Sequence, residues 1–185
     1  MKARVFFAIS FSEKLKLIFK EILGVLQSTI PEKKVRWTPI SNLHITLAFL
    51  GNIQVEHLPQ LIERANQALS DMPFFLLQFG KLELFPSTAD PRIISLSISH
   101  ETVLKNLAHR LRQIIAAMHY PIEERAFRGH LTLGRLQHCC YDHGWLNKIQ
   151  LPVIPEMKVT QVVLFESKPD QGSPNYIPLA QFNLK

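Results

Sequence analysis

One tetrapeptide pattern is written twice in this chain, as His44-Ile45-Thr46-Leu47 and as His130-Leu131-Thr132-Leu133, one copy in each half of its 185 residues. Successive side chains of an extended strand point to opposite faces, so each copy shows His and Thr on one face and anchors the other with aliphatic residues. A fold holding both needs two strands with apolar backs and matched imidazole-hydroxyl fronts. The bare triplet His-x-Thr is weak: composition predicts about 0.3 by chance. A third example, His100-Glu101-Thr102, also occurs. Requiring an apolar residue after both His and Thr lowers the expectation to about 0.06 and keeps only the two strand copies. His100 reads instead as a residue at the start of a helix, near a Ser99 or Thr102 cap.

A chain of this length with 46% hydrophobic residues buries enough for one domain, or for two small lobes sharing a core. Its net charge of +6 favours an anionic partner, of which nucleic acid is the commonest polymer. No apolar run reaches the roughly 18 residues of a membrane span. The segment from Lys2 to Phe11 has a basic start but too short an apolar run for a signal-peptide core, and reads as a first strand. The only cysteines, Cys139 and Cys140, are adjacent, so no disulfide framework is implied and a reducing cytoplasm is the expected compartment.

Along the chain, Arg4 to Ser10 reads as a buried strand and Ser12 as the cap of a helix whose Leu15, Ile18, Phe19, Ile22, Leu23 and Leu26 recur at helical spacing. Val35 to Thr38 is short and extended, Leu43 to Leu50 carries the first motif and is closed by Gly51-Asn52, and a helix runs from about Val55 to Leu69. Phe74 to Phe85 and Arg92 to Ser99 read as strands, and Thr102 to Met118 as a helix. The second motif strand ends near Leu136. Gln137 to Pro155 is irregular, with a short helix around Trp145, and Lys158 to Lys168 pairs with Tyr176 to Leu184 across a Pro/Gly-rich turn. Strands joined both directly and through helices predict an α+β fold, a bilobed pseudo-twofold duplication with mostly antiparallel sheets lining a central cleft and helices outside. No Pro/Gly/Ser-rich linker divides the chain, so residues 1–185 are expected to form one domain of two intertwined lobes.

Free imidazole titrates near ~6.5, so two histidines in one groove can hold one proton between them at neutral pH. Displacement at phosphorus needs a base for the attacking oxygen and an acid for the leaving oxygen, and opposed histidines supply both without a metal. Thr46 and Thr132 can donate to non-bridging phosphate oxygens. Arg135 extends the second copy and offers a planar clamp for phosphate. Strand parity puts it on the face opposite His130, so the strand must end or bulge near Gly134 for Arg135 to reach the site. Arg36, Arg125 and Arg128 are near the motif strands in sequence and add general positive potential, or are simply solvated. Trp37 and Tyr176 can stack on a base, although core or lobe packing is the better reading.

Other sites fit less well. His138-Cys139-Cys140-Tyr141-Asp142-His143 contains metal-ligating types, but adjacent cysteines splay apart and no second Cys-x-x-Cys completes a tetrahedron. Neither Walker-type glycine loops nor a Gly-x-Ser-x-Gly elbow is present. No metal and no cofactor are expected.

These residues resemble the two-histidine (2H) phosphoesterase superfamily, and within it the bacterial and archaeal RNA 2',3'-cyclic phosphodiesterases, also called 2'-5' RNA ligases. The resemblance runs through Arg4 to Ile9, Asn42-Leu43-His44-Ile45-Thr46-Leu47-Ala48-Phe49-Leu50-Gly51, Phe127-x-x-His130-Leu131-Thr132-Leu133-x-Arg135, and Leu164 to Ser167. It implies hydrolysis of a terminal 2',3'-cyclic phosphate on RNA to a 2'-phosphate, with joining of 2'-5' linkages in some members. It further implies His44 as proton donor to the departing 3' oxygen, His130 as proton acceptor from water, and Thr46, Thr132 and Arg135 as phosphate ligands. Two positions depart from the family pattern: Gly129 stands where proline is common, and Ala48 where many members carry lysine, which implies one cation fewer in the groove. RNA ends are the expected partner, with no membrane, no obligatory protein partner and a monomeric state. The alternatives are a non-catalytic RNA-binding module, or the same chemistry on another cyclic phosphate or a 2'-5' oligonucleotide.

Overall fold

The structure, a computed structural model of the chain, describes residues 1–30, 35–137, 146 and 149–185. Its elements follow the order β1 (Lys2–Ile9), α1 (Glu13–Thr29), β2 (Val35–Trp37), β3 (Ile45–Gln54), α2 (Leu58–Leu69), β4 (Phe75–Leu77), β5 (Phe79–Phe85), β6 (Ile93–Ile98), α3 (Glu101–Ala117), β7 (His130–Leu136), β8 (Met157–Val159), β9 (Gln161–Lys168) and β10 (Asn175–Asn183). One four-stranded sheet has the order β10-β9-β1-β3, a second has β2-β7-β6-β5, and β4 pairs with β8 alone. Every pairing among the described residues is antiparallel, so the α+β expectation holds. The motif strands fall in different sheets, β3 at an edge and β7 in the interior.

Local chemistry accounts for the elements. Ser12 caps α1, its Oγ accepting from the Leu15 N–H at 3.3 Å, and Leu15, Phe19, Ile22, Leu23 and Leu26 form its buried stripe. The stripe of α3 is Leu104, Leu107, Ala108, Leu111, Ile114 and Ile115. That helix starts differently from the expectation: His100 itself holds the cap position at φ 61° without a side-chain cap bond. Ser99 is committed elsewhere, its Oγ accepting from the Gln78 N–H at 3.0 Å.

Three strand boundaries also differ. Gly51-Asn52 does not close β3, because Gly51 takes φ 71° and β1 keeps pairing beyond it, Arg4 with Asn52 and Lys2 with Gln54. Phe74 to Phe85 breaks in two because β4 leaves to pair with β8 while β5 pairs with β6. The same small sheet splits β8 from β9. The helix expected around Trp145 and the His138 to His143 segment lie outside the described residues.

The two halves of the fold exchange their covers. Phe19 of α1, which follows β1 of the first sheet, packs edge-on against Phe79 of the second sheet at 5.2 Å. Helix α3, which follows β6 of the second sheet, packs on β3 of the first, and α2 lies beside it. One contiguous apolar cluster therefore joins the helices to the inner faces of both sheets. Phe6, Ala8 and Ile93 are buried yet outside that cluster. They belong to the opposite faces of the two sheets, where Thr46 pairs across from Ala8 and Arg135 across from Ile93.

Candidate active site

Each motif histidine is fixed by the same local device. The carbonyl of the residue two positions earlier faces Nδ1, Asn42 O at 2.7 Å for His44 and Arg128 O at 2.8 Å for His130. A carbonyl only accepts, so both Nδ1 atoms carry hydrogen and both Nε2 atoms are the titrating positions. The Nε2 of His44 is 2.9 Å from the Thr46 hydroxyl. In β7 His130 and Thr132 are half-buried while Leu131 and Leu133 are buried, the alternation that places the polar pair on one face and the aliphatic pair in the core. Opposite them on β6 lie Ser97 and Ser95.

Arg135 reaches that polar face through a bulge. Thr132 pairs with Ser95 and Gly134 with Ile94, so Leu133 has no partner and the parity of β7 changes after it. Arg135, opposite Ile93, then shares the face of Thr132 and is exposed. The first copy is bulged at the same step: Thr46 pairs with Ala8 and Ala48 with Phe7, leaving Leu47 unpaired. The residue in Arg135's place is Phe49, 45% exposed and 5.5 Å from the Phe6 ring. Ala48 turns into the core at 4% exposure, so that position contributes no groove side chain and the loss of a groove cation inferred there does not follow. Gly129, in the place of the family's proline, packs close to Leu104, which would be 3.2 Å from an added Cβ.

Both histidines are walled by aromatic rings. Phe85 stacks on His130 at 4.2 Å and 24°, with the Arg128 guanidinium 5.0 Å from the same Phe85 ring. Phe6 lies 5.0 Å from His44, and Tyr176 meets His44 edge-on at 5.2 Å. Burial, the largest influence, lowers the pKa of His44 below its ordinary 6.5; the Asn42 carbonyl opposes this, and positive charge on His130 and Arg135 adds to it. His130 is likewise lowered, first by burial, against the pull of the Arg128 carbonyl, with Arg128 and Arg135 pushing the same way as burial and Glu123 against it. In isolation the site therefore favours two neutral imidazoles. A bound anion would offset the desolvation and the arginine charge and return a proton.

The remaining sequence candidates separate cleanly. Trp37 and Val35 lie on the core side of β2, 2.9 and 2.6 Å from where a Gly134 Cβ would be, so Trp37 packs. Tyr176 packs on His44 and Phe6. Arg128 is engaged by Glu83 at 3.1 Å and the Pro86 carbonyl at 3.1 Å, and the Arg125 carbonyl accepts from Arg112. Sequence reasoning missed Phe6, Phe85 and the double role of Asn42, whose Nδ2 donates to Pro174 O at 2.6 Å while its own carbonyl holds His44. A recess of about 100 Å³ beside His44 is lined by Ser10, Lys16, Ser41, Asn42 and Tyr176 among others. A larger hollow of about 530 Å³ between α2 and α3 contains neither histidine.

The LigT-like phosphoesterase family model matches residues 18–95, a span that includes the first motif. The RNA 2',3'-cyclic phosphodiesterase of Archaeoglobus fulgidus is 33% identical over 132 residues, covering 69% of this chain and 67% of that protein. The RNA 2',3'-cyclic phosphodiesterase of Thermotoga maritima is 26% identical over 176 residues, 94% of this chain and 91% of its own. Among solved structures, that of E. coli LigT in its apo form superposes with a TM-score of 0.80 at 25% identity, covering 99% of this chain and 98% of LigT.

Proposed function

This chain belongs to the LigT-like phosphoesterase family, and from that premise we propose that it hydrolyses the terminal 2',3'-cyclic phosphate of RNA to a 2'-phosphate. The observation that carries the reading is the matched tethering of His44 and His130 through Nδ1, which leaves two Nε2 atoms to move protons. Relatives over most of the chain carry that activity in their names, and E. coli LigT has been solved with phosphate bound.

Neutral His130 takes a proton from water through Nε2 as the water oxygen bonds to phosphorus, and protonated His44 gives its Nε2 proton to O3' as the P–O3' bond breaks. The product is a 2'-phosphomonoester, and proton exchange with solvent resets both rings. Thr46, Thr132 and Arg135 hold the non-bridging oxygens, on which charge is concentrated in the transition state. A 5'-hydroxyl taking the place of water leads through the same steps to a 2'-5' linkage, and its reversal cleaves one.

The same reading makes the chain a cytoplasmic monomer, with residues 1–185 as one domain of two intertwined lobes. No helix among the described residues is long and apolar enough to cross a membrane. The test is turnover of RNA ending in a 2',3'-cyclic phosphate, in the presence of chelator, with products resolved as 2'- or 3'-phosphate. His44→Ala and His130→Ala should each lose about 10²–10⁴-fold in kcat. RNA binding without turnover by the unmodified chain would overturn the reading.

A further inference from the structure

Arg36 stands directly opposite Arg135 in the β2–β7 pairing. Val35 and Trp37 face the core beside Gly134, so Arg36, between them, shares the opposite face of the sheet with Arg135. Like charges directly across an antiparallel pair repel and destabilise it. Three arginines are neutralised, Arg92 by Asp90, Arg110 by Asp71 and Arg128 by Glu83, whereas Arg36 and Arg135 are set apart by standing directly across one strand pair. Arg36 and Arg135 make no ion pair among the described residues.

A third guanidinium extends the same field from the other sheet. Arg4 is two residues before Phe6 on β1 and exposed, in the alternation that buries Ala3, Val5 and Phe7 in the core. Burial raises the Tyr176 pKa, and Arg135, Arg4 and Arg36 all oppose that rise, so all three guanidiniums lie within electrostatic reach of one phenol beside His44.

The cyclic phosphate alone does not account for them. It is a monoanion, and Arg135, Thr46, Thr132 and a protonated His44 already supply its donors and more than its charge. Resting on the proposed function, we infer that Arg36, flanked by Arg4, forms a second phosphate subsite that takes the phosphate on the 5' side of the terminal nucleotide. The preferred substrate is then a nucleotide or chain end carrying at least one phosphate beyond the cyclic one. Arg36 is a binding residue here, since it touches a phosphate that does not react.

The test compares kcat/KM for adenosine 2',3'-cyclic phosphate with that for the same nucleotide bearing a 5'-phosphate. The unmodified chain should favour the 5'-phosphorylated substrate by about tenfold, the scale of one charge-assisted contact, and the ratio should shrink as salt rises. In Arg36→Gln the ratio should fall toward one, and in Arg36→Lys it should keep an intermediate value. A ratio near one in the unmodified chain, with the nucleoside cyclic phosphate still turned over, overturns the subsite but leaves the proposed function standing. Equal losses on both substrates in Arg36→Gln assign Arg36 to the cyclic phosphate and overturn it as well. No turnover of either substrate by the unmodified chain overturns both readings.

Discussion

The surroundings of His44 and His130 begin from one design and diverge. Each ring is tethered through Nδ1 to the carbonyl two residues back, and each motif strand is bulged at the third residue after the histidine. Beyond the bulge the first strand offers the ring of Phe49 and the second the guanidinium of Arg135. His44 has Thr46, Phe6 and Tyr176 around it; His130 has a stacked Phe85 and two flanking arginines. A duplicated device thus acquires unequal ends, and on the proposed assignment the His44 end takes the leaving oxygen and the His130 end the attacking water.

The largest expected effect inverts if that assignment is wrong. A phosphodiester with a nitrophenolate leaving group needs no proton on the departing oxygen, so an acid becomes dispensable while a base does not. His44→Ala should lose about 10²–10⁴-fold on a cyclic phosphate and far less on a nitrophenyl phosphodiester, whereas His130→Ala should lose similarly on both. Steady-state rates on the two substrates decide it, and rescue of His130→Ala alone would exchange the two roles.

The bulges set the next test, because the residue after each one is held differently. A Cβ at Gly134 would come 2.6 Å from Val35 Cγ1 and 2.9 Å from Trp37 Cε3. Gly134→Ala therefore has to lift β2 from β7, which displaces Arg36 and Arg135 together. We expect a cost of about 1–3 kcal/mol, typical of overpacking, and a clear loss of kcat/KM. Ala48→Gly, the matching position of the first strand, should cost about 0.5–1 kcal/mol in strand stability and leave activity nearly intact. Chemical denaturation and turnover of the two variants measure the contrast, and a Gly134→Ala protein equal to the parent would show that the bulge does not depend on this contact.

These features differ in how far the sequence alone discloses them. The cap at Ser12, the stripes of α1 and α3 and the two His-Thr faces follow from local periodicity, which the tertiary fold respects. Parity showed that Arg135 could reach the site only through an end or a bulge near Gly134, but the step at Leu133 is defined by which residues of β6 pair across it. The opposition of Arg36 to Arg135 is likewise a register between segments nearly a hundred residues apart. Phe6 and Phe85 sit in apolar strands where any aromatic residue reads as core, and only the sheet shows that both wall a histidine. Asn42 offered a signal, since it opens one of the segments that carry the family resemblance, yet its bond to Pro174 spans 132 positions. β3 outran its predicted stop because a glycine ends a strand only when no partner pairs beyond it.

The smallest expected effects concern protons and bear on both histidines at once. Their pKa values are lowered from 6.5 in the folded chain, so between those values and 6.5 the unfolded chain binds more protons. The stabilisation from holding them neutral is complete above pH 6.5 and is lost as pH falls through the lowered values. Thermal unfolding should therefore move down by a few degrees on acidification, at about 2–4 °C per kcal/mol for a chain of this size. Inorganic phosphate should offset part of the loss, because an anion in the site favours imidazolium. Catalysis follows the same sign: kcat/KM, which reports the free site, should peak below pH 6.5, and kcat, measured with the anionic substrate bound, should peak higher. Phe85→Ala should separate the two rings, since exposing His130 lets its pKa rise and moves the limb of the profile that belongs to the base, while the limb from His44 stays. Movement of both limbs by the same amount would mean that the histidines titrate as one coupled pair rather than as two unequal groups.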